Sequence, residues 1–467
     1  MKKTTSNSSK WLVIVTVAAV LCVAAGIFFY YNFFRQDNAK LIETVPDDAF
    51  FIFEVNDAAP FVKNVTKLSP YMNELFFMGS FAGFQSFLDK LPVSNTNKDA
   101  EIVVSGHIVQ DKTVLLHSAV MTYWNFDKLL KVLQIDSRNC IEYDNNKIYQ
   151  FGTHYRKYYF AWHHNIFSAS ESLDLLKRAL KQHKHVKNLL FDDNFSKIFK
   201  IVEKNEKQNW LIVDYEAYLN NIKADLKAPY NYFVETESGH GRWAAYQVRF
   251  TENEIKMAGY IQTDSKLLEK ELYAEKFPSD IIPQNTFACA VCAGAPQIYR
   301  FSLSRDTVVY NYAAFPIDSL TCRFEDFLPD GTTEDSCVKF KNRSVFKADI
   351  GKTKLLQNRY NTEFTVALEH GGYALFGDTL PALQYYITKL NQMQTVEDNT
   401  LYRFANQNLP SQCVYKELYF FNNDFVKSRF FAEDGALPQT SQKISVFGIS
   451  FSTIKDGVSP TNIYLRF

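Results

Sequence analysis

No Gly-rich phosphate loop, His-Glu-x-x-His, Gly-x-Ser-x-Gly or dinucleotide fingerprint occurs in the 467 residues, which argues against the common sequence-marked enzymes. A hydrolase of unrecognised type stays open, because triads are defined by geometry and not by order along the chain. Excess charge of either sign is also lacking. Lys plus Arg and Asp plus Glu each total 51, so no field is present to attract nucleic acid or an acidic substrate. Nucleic acid is therefore not expected as a partner. Cys289 and Cys292 have a metal-motif spacing but no second cysteine pair at zinc-ribbon distance, the histidine pairs lack a third ligand, and no cofactor, catalytic residue or metal ligand is assigned.

Aromatic side chains are abundant, with 41 Phe and 27 Tyr, which favours strands with large groups packed on their faces. The apolar fraction of 46% and charged fraction of 22% are those of a globular protein. The length exceeds one ordinary core and predicts two or three domains.

From Trp11 to Phe34 runs an uncharged segment of 24 residues, long enough to cross ~30 Å of hydrocarbon as a helix. Lys2, Lys3 and Lys10 precede it, and only Arg35 and Lys40 follow closely. The positive-inside bias then places residues 1–10 in the cytoplasm and the bulk of the chain in the periplasm. The run is long for a cleaved signal peptide, and Ala19-Val20-Leu21-Cys22 carries a bulky Leu where a lipoprotein box wants a small residue. The expectation is a signal-anchored, single-pass protein of the inner (cytoplasmic) membrane, held in the lipid bilayer through residues 11–34.

Residues 35–40 read as a linker. Beyond it Val45-Pro46-Asp47-Asp48 is a turn leading into a strand through Val55, and helix-period material runs to about residue 90. Hairpins are expected around residues 110–112, at Asp144-Asn145-Asn146 and at His164-Asn165, where Asn tolerates positive φ. An internal repeat overlays residues 158–199 on 365–404: Leu173, Leu176 and Leu180 recur as Leu380, Leu383 and Ile387, an offset of 207. His163 falls on His370 and His164-Asn165 on Gly371-Gly372, while Asp193-Asn194 and Phe199 align with Asp398-Asn399 and Phe404, a drift to 205 expected if a loop differs by two residues. Val45 to Phe50 finds an echo in Ile282 to Phe287. The fold class predicted is α+β, an N-terminal transmembrane helix followed by two tandem related units at 41–275 and 276–467, each an antiparallel sheet with covering helices.

Cys322 and Cys337 lie nearly equidistant from Pro329-Asp330-Gly331, so an antiparallel hairpin would place them opposite each other as a disulfide. Cys289 and Cys292 read as strand residues facing opposite ways. His163-His164, His183 with His185, and Ser238-Gly239-His240-Gly241-Arg242 read as a turn, a helix end and a strand connection.

The stretches Val45 to Asn56, Gly241 to Tyr246 leading to Met257 to Tyr260, Ile282 to Phe287, and Thr461 to Phe467 together resemble a family of uncharacterised single-pass envelope proteins of Bacteroidota-type bacteria, related to a bacterial domain of unknown function. The resemblance implies a short form, lacking a propeller-like C-terminal domain, and no transferable activity. The functional expectation is a non-enzymatic interaction or scaffolding module of the cell envelope with an unknown envelope protein as partner. The alternative is a binder of envelope polymer or lipid, with an exposed aromatic groove between the units.

Overall fold

The computed structural model describes residues 40–55, 101–110, 112–121, 123–152, 157–182, 188–203, 209–214, 217, 242–251, 253–263, 273, 277–294, 296–317, 323–356, 362–421 and 444–467. Ten strands form the first half: β1 Phe51–Val55, β2 Ile102–Val109, β3 Lys112–Val120, β4 Ile141–Tyr143, β5 Asn146–Gly152, β6 Lys157–His163, β7 Ile166–Ser170, β8 Trp210–Asp214, β9 Trp243–Phe250 and β10 Glu254–Gln262. The second half holds β11 Thr286–Cys292, β12 Ile298–Arg305, β13 Val308–Pro316, β14 Val338–Phe340, β15 Arg343–Lys347, β16 Val366–His370, β17 Tyr373–Gly377, β18 Tyr415–Phe420, β19 Val446–Phe451 and β20 Val458–Arg466. The helices are α1 Tyr123–Val132, α2 Leu173–Gln182, α3 Asp193–Glu203, α4 Leu380–Leu390 and α5 Thr400–Asn408.

Every strand pairing is antiparallel. From one edge the order is β4, β5, β6, β7, β3, β2, β1, β8, β9, β10, and the second half meets it in reverse as β20, β19, β18, β11, β12, β13, β17, β16, β15, β14. Read inward from either end, each strand meets its counterpart ten later in the chain. The two runs join where β10 pairs with β20, from Glu254 opposite Arg466 to Gln262 opposite Val458.

Turn chemistry sets the hairpins. Positive φ falls at Asp144-Asn145, His164-Asn165, Lys341-Asn342 and Gly371-Gly372, each pair bridging two strands in a tight loop. The 207-residue offset does not drift. Asp192 Oδ1 accepts from the amides of Asn194 and Phe195 to cap α3, and Asn399 does the same for Leu401 and Tyr402 in α5.

The helices α2 and α3 cover the outer face of the first half, burying Leu175, Leu176, Leu180, Phe195 and Ile198, and α4 and α5 cover that of the second. Each such leucine contributes roughly 1.5–3 kcal/mol by leaving water. The inner face is shared. One apolar cluster holds Phe51, Phe53, Val104 and Phe160 together with Phe287, Tyr419, Phe421 and Ile444. Large and small residues exchange across paired positions: Ala119 opposite Phe167 becomes Phe315 opposite Ala374, and Phe160 opposite Ala169 becomes Ala367 opposite Phe376. Such exchanges conserve core volume.

These observations correct the predicted architecture. The described residues are not two tandem α+β units; they are dominated by one antiparallel sheet of twenty strands, with five helices. The continuous β10–β20 ladder and the shared inner core overturn that layout, because hydrophobic faces from both halves are buried against each other.

The membrane expectation is corrected as well. No helix among the described residues is long and apolar enough to cross a membrane, a finding that concerns helices and not strands. Residues 11–34, which were expected to span, lie outside the described residues. Apolar length is necessary for a spanning helix but does not make one, so the signal anchor, the inner-membrane location and the periplasmic bulk are not carried further. The helix-period stretch up to residue 90 also lies outside the described residues.

Candidate functional site

The turn that opens β1 is fixed where the amide of Ala49 donates to the carbonyl of Pro46, placing Asp48 at the rim of the first half's outer face. On β2, Ser105 and His107 are two residues apart and so point to that same face. His107 Nδ1 lies 2.9 Å from Asp48 Oδ1, and its Nε2 lies 2.9 Å from Ser105 Oγ. Arg178 of α2 donates from Nη1 to Asp48 Oδ2. Burial raises the Asp48 pKa, but the hydrogen bonds from His107 and Arg178 and the Arg178 charge outweigh it and hold the carboxyl at about 2. Burial pushes the His107 imidazole down against the opposing pull of Asp48. With Asp48 ionised and accepting only, the neutral ring carries its proton on Nδ1, and Nε2 accepts from Ser105.

Ser-His-Asp order and spacing are those of a hydrolase triad, but the burial runs the other way. Ser105 is 0% exposed, whereas 40% of the Asp48 side chain meets solvent. A triad presents its nucleophile to substrate and buries its carboxylate. Here the hydroxyl is the innermost group. The chain therefore acts as a clasp that ties the 45–49 turn and α2 to β2.

A second row of polar groups crosses the same face. Thr44 Oγ1 donates to the carbonyl of Leu41 at 2.7 Å and lies 3.0 Å from Ser118 Oγ, Ser118 Oγ lies 3.2 Å from Ser168 Oγ, and Ser170 donates to the carbonyl of Leu115. The second half provides an internal comparison. Strand register places Phe301 where Ser105 sits, Leu303 at His107, Ala314 at Ser118 and Leu375 at Ser168. Asn285 and Tyr385 replace Asp48 and Arg178, joined by a 3.0 Å hydrogen bond from the Asn285 amide to the Tyr385 hydroxyl. Phe301, Tyr312 and Tyr386 fill that space with ring centroids 5.0–5.9 Å apart. The sheet thus closes equally well over an apolar interior, and the polar set belongs to the first half alone.

Of the residues singled out from sequence, Cys322 lies outside the described residues, and so does its pairing with Cys337. The chain flanking Pro329 does not run as two strands: Phe324–Phe327 and Glu334–Ser336 are single 3-10 turns, with Cys337 capping the latter. Cys289 is buried in β11 and Cys292 half-buried, three positions apart on opposite faces. His163 ends β6 and His164 occupies the turn, their rings in edge contact at 4.0 Å. His183, His185 and residues 238–241 lie outside the described residues. Arg242 donates to the buried carboxylate of Asp214 at 2.8 Å and to Asp192 at 3.2 Å. Among the described residues, no group of three or more His, Cys, Asp or Glu side chains is arranged to hold a metal ion. Sequence reading missed Asp48, Ser105, His107 and Arg178 as a set. The one local signal was two polar residues on one face of an otherwise apolar strand.

No protein-family model matches the chain. No curated protein matches it. Among solved structures, a chain titled "Structure of crystal form I of TP0453" is similar over 76% of this chain and 99% of its own length, at 9% identity and a TM-score of 0.22, values too low to carry an argument about fold or function.

Proposed function

We propose that the protein is a non-enzymatic interaction module that engages protein partners at the two ends of its sheet. One observation carries this reading: among the described residues, β4 pairs only with β5 and β14 only with β15, so each is an edge of the described sheet, with Ile141 and Val338 exposed. An open edge offers a row of backbone donors and acceptors to an incoming strand. The edges are built alike, Cys140-Ile-Glu-Tyr and Cys337-Val-Lys-Phe, each followed by a tight turn. A photo-activatable residue at position 142 or 339 is expected to capture protein in cells, while one at Lys256 in the interior strand β10 is not. Equal capture at all three positions, or none at either edge, removes this reading.

A second reading, a hydrolase, draws on the two 2.9 Å contacts linking Ser105, His107 and Asp48. It requires a serine-directed fluorophosphonate to label the folded chain and the label to vanish in Ser105→Ala. The inward position of Ser105 predicts no labelling. The polymer- or lipid-binding alternative expected an aromatic groove between the halves. Among the described residues the two halves share an apolar core and the strongly exposed aromatics are Phe191 and Tyr273, which lends that alternative less support than the edges have.

A further inference from the structure

We infer that the occupant of each open edge is the opposite edge of a second copy of this chain, β4 of one molecule pairing with β14 of the next. This rests on the reading of β4 and β14 as docking edges, and charge chooses the partner. The β4 edge reads Ile141-Glu142-Tyr143-Asp144, and the β14 edge reads Val338-Lys339-Phe340-Lys341 with Arg343 just beyond. The same pattern of aliphatic, charged and aromatic residues thus recurs with the sign of the charge reversed.

The geometry follows from strand register. Ile141 and Tyr143 share the outer face with α2, since Tyr143 packs against the cluster of Leu175 and Leu176. Val338 and Phe340 share the outer face with α4, since Phe340 packs against the cluster of Leu383 and Ile387. An antiparallel β4–β14 pair sets Ile141 against Phe340 and Tyr143 against Val338, with Glu142 meeting Lys339 on the inner face. Apolar groups continue along one side and an ion pair forms on the other. Ile141 and Val338 are 39% and 49% exposed in the single chain and would be covered.

Pairing like with like fails by the same register. Two β4 strands about a two-fold axis bring Glu142 against Glu142, and two β14 strands bring Lys339 against Lys339, both unfavourable across a ladder. On their own sheet, Glu142 has Lys147 as its cross-strand neighbour and Lys339 has Ser344. Lys341 is turned away, donating to Thr388 Oγ1 at 3.1 Å, and Lys177 lies over the Tyr143 ring. Glu142 and Lys339 therefore decide the match.

The molecule already contains one such join. At β10–β20 two edges meet antiparallel with Glu254 directly opposite Arg466, and Arg466 Nη1 lies 2.9 Å from Glu254 Oε1. Joining β4 to β14 repeats that arrangement between molecules. Because the two patches differ, the contact is head-to-tail and generates rings or open chains of copies rather than a closed pair. Three residues per edge form a small, weak contact that needs high protein concentration and low salt.

Sedimentation velocity of the full chain over about a hundredfold range of concentration tests this. The expected result is a sedimentation coefficient that rises with concentration and falls back on adding salt. Glu142→Lys and Lys339→Glu are each expected to weaken association about tenfold, and the double variant to restore it. Unchanged thermal melting of these exposed-site variants keeps the comparison free of folding effects. Single variants that associate like the parent, a double variant as weak as the singles, or a parent that stays monomeric throughout each overturn the self-pairing. In the last case, capture of a different protein from positions 142 and 339 leaves the docking edges standing and discards only the second copy as occupant.

Discussion

Arg178 and Tyr385 hold the same place in the two halves of one sheet, and each secures the turn ahead of its half's first strand. Arg178 does so through the carboxylate of Asp48, Tyr385 through the amide of Asn285. The position is constant and the chemistry is not. Ionic and hydrogen-bonded in the first half, aromatic and hydrogen-bonded in the second, the two solutions make this turn in the first half responsive to pH in a way its counterpart is not.

Asp48, held at about 2 against an ordinary 3.8, is the first source of that response. A depressed carboxyl contributes stability above its unfolded pKa and loses it as pH falls toward the folded one. Asp48→Asn is therefore expected to cost about 1 kcal/mol at neutral pH, a figure reduced for the solvent at this rim, and to narrow its deficit between pH 4 and 2. Urea midpoints across that range check it. Parallel curves for parent and variant would show that the carboxylate has no net role.

His117 is a second source of pH dependence. It lies in the inner core between Val104 and Ala169, and burial holds its imidazole at about 3. The unfolded chain binds a proton there below pH 6.5 and the folded one does not, so stability declines as pH drops from 6.5 toward 3, by at most about 1.4 kcal/mol per pH unit. His107, lowered by burial, adds in the same direction. His117→Leu is expected to reduce the slope measured by chemical unfolding. An unaltered slope would place the titration elsewhere.

At the centre of the sheet, Gly259 lies opposite Tyr246 on β9 and Thr461 on β20, and a Cβ there would come within 1.9 Å of the Ala245 carbonyl oxygen. Backbone cannot yield as a side chain does. Gly259→Ala is expected to cost more than about 2 kcal/mol, read from the denaturation midpoint. A loss under about 0.5 kcal/mol would mean the strands are less closely set.

Glu254 also receives hydrogen bonds from the Tyr464 hydroxyl at 2.7 Å and lies 3.1 Å from Lys256 Nζ. Burial raises its pKa, yet these partners and Arg466 hold it below the usual carboxylate range. A double-mutant cycle with Glu254→Gln and Arg466→Gln is expected to give a coupling of about 1 kcal/mol that shrinks with salt. Zero coupling at low salt would reduce the pair to a bystander of the ladder.

Local chemistry was the part of this fold legible in the sequence. Asp144-Asn145 and His164-Asn165 announce tight turns because few other residues accept positive φ, and Leu173, Leu176 and Leu180 announce a helix face by spacing. Matching Asp193-Asn194 to Asp398-Asn399 by identity misplaced the alignment, because the conserved element is the capping oxygen, carried by Asp192 in one half and Asn399 in the other. The likeness of Cys140 to Ile148 and Cys337 to Val345 escaped notice because it preserves the kind of residue and reverses its charge. The Asp48, His107 and Ser105 set spans 59 residues and exists only through pairing. The shared inner core leaves no local trace at all, since apolar alternation says that a strand has a buried face but not which other strand covers it.

The β10–β20 ladder also has a consequence in time. Glu254 and its partner Arg466 are 212 residues apart, so during synthesis the β10 edge waits for a strand made long after it. Closing so distant a pairing is slow, and until then the nascent first half presents a nine-residue template to any passing strand. The segment that joins the two halves is thus also the one that covers the β10 edge against stray pairing.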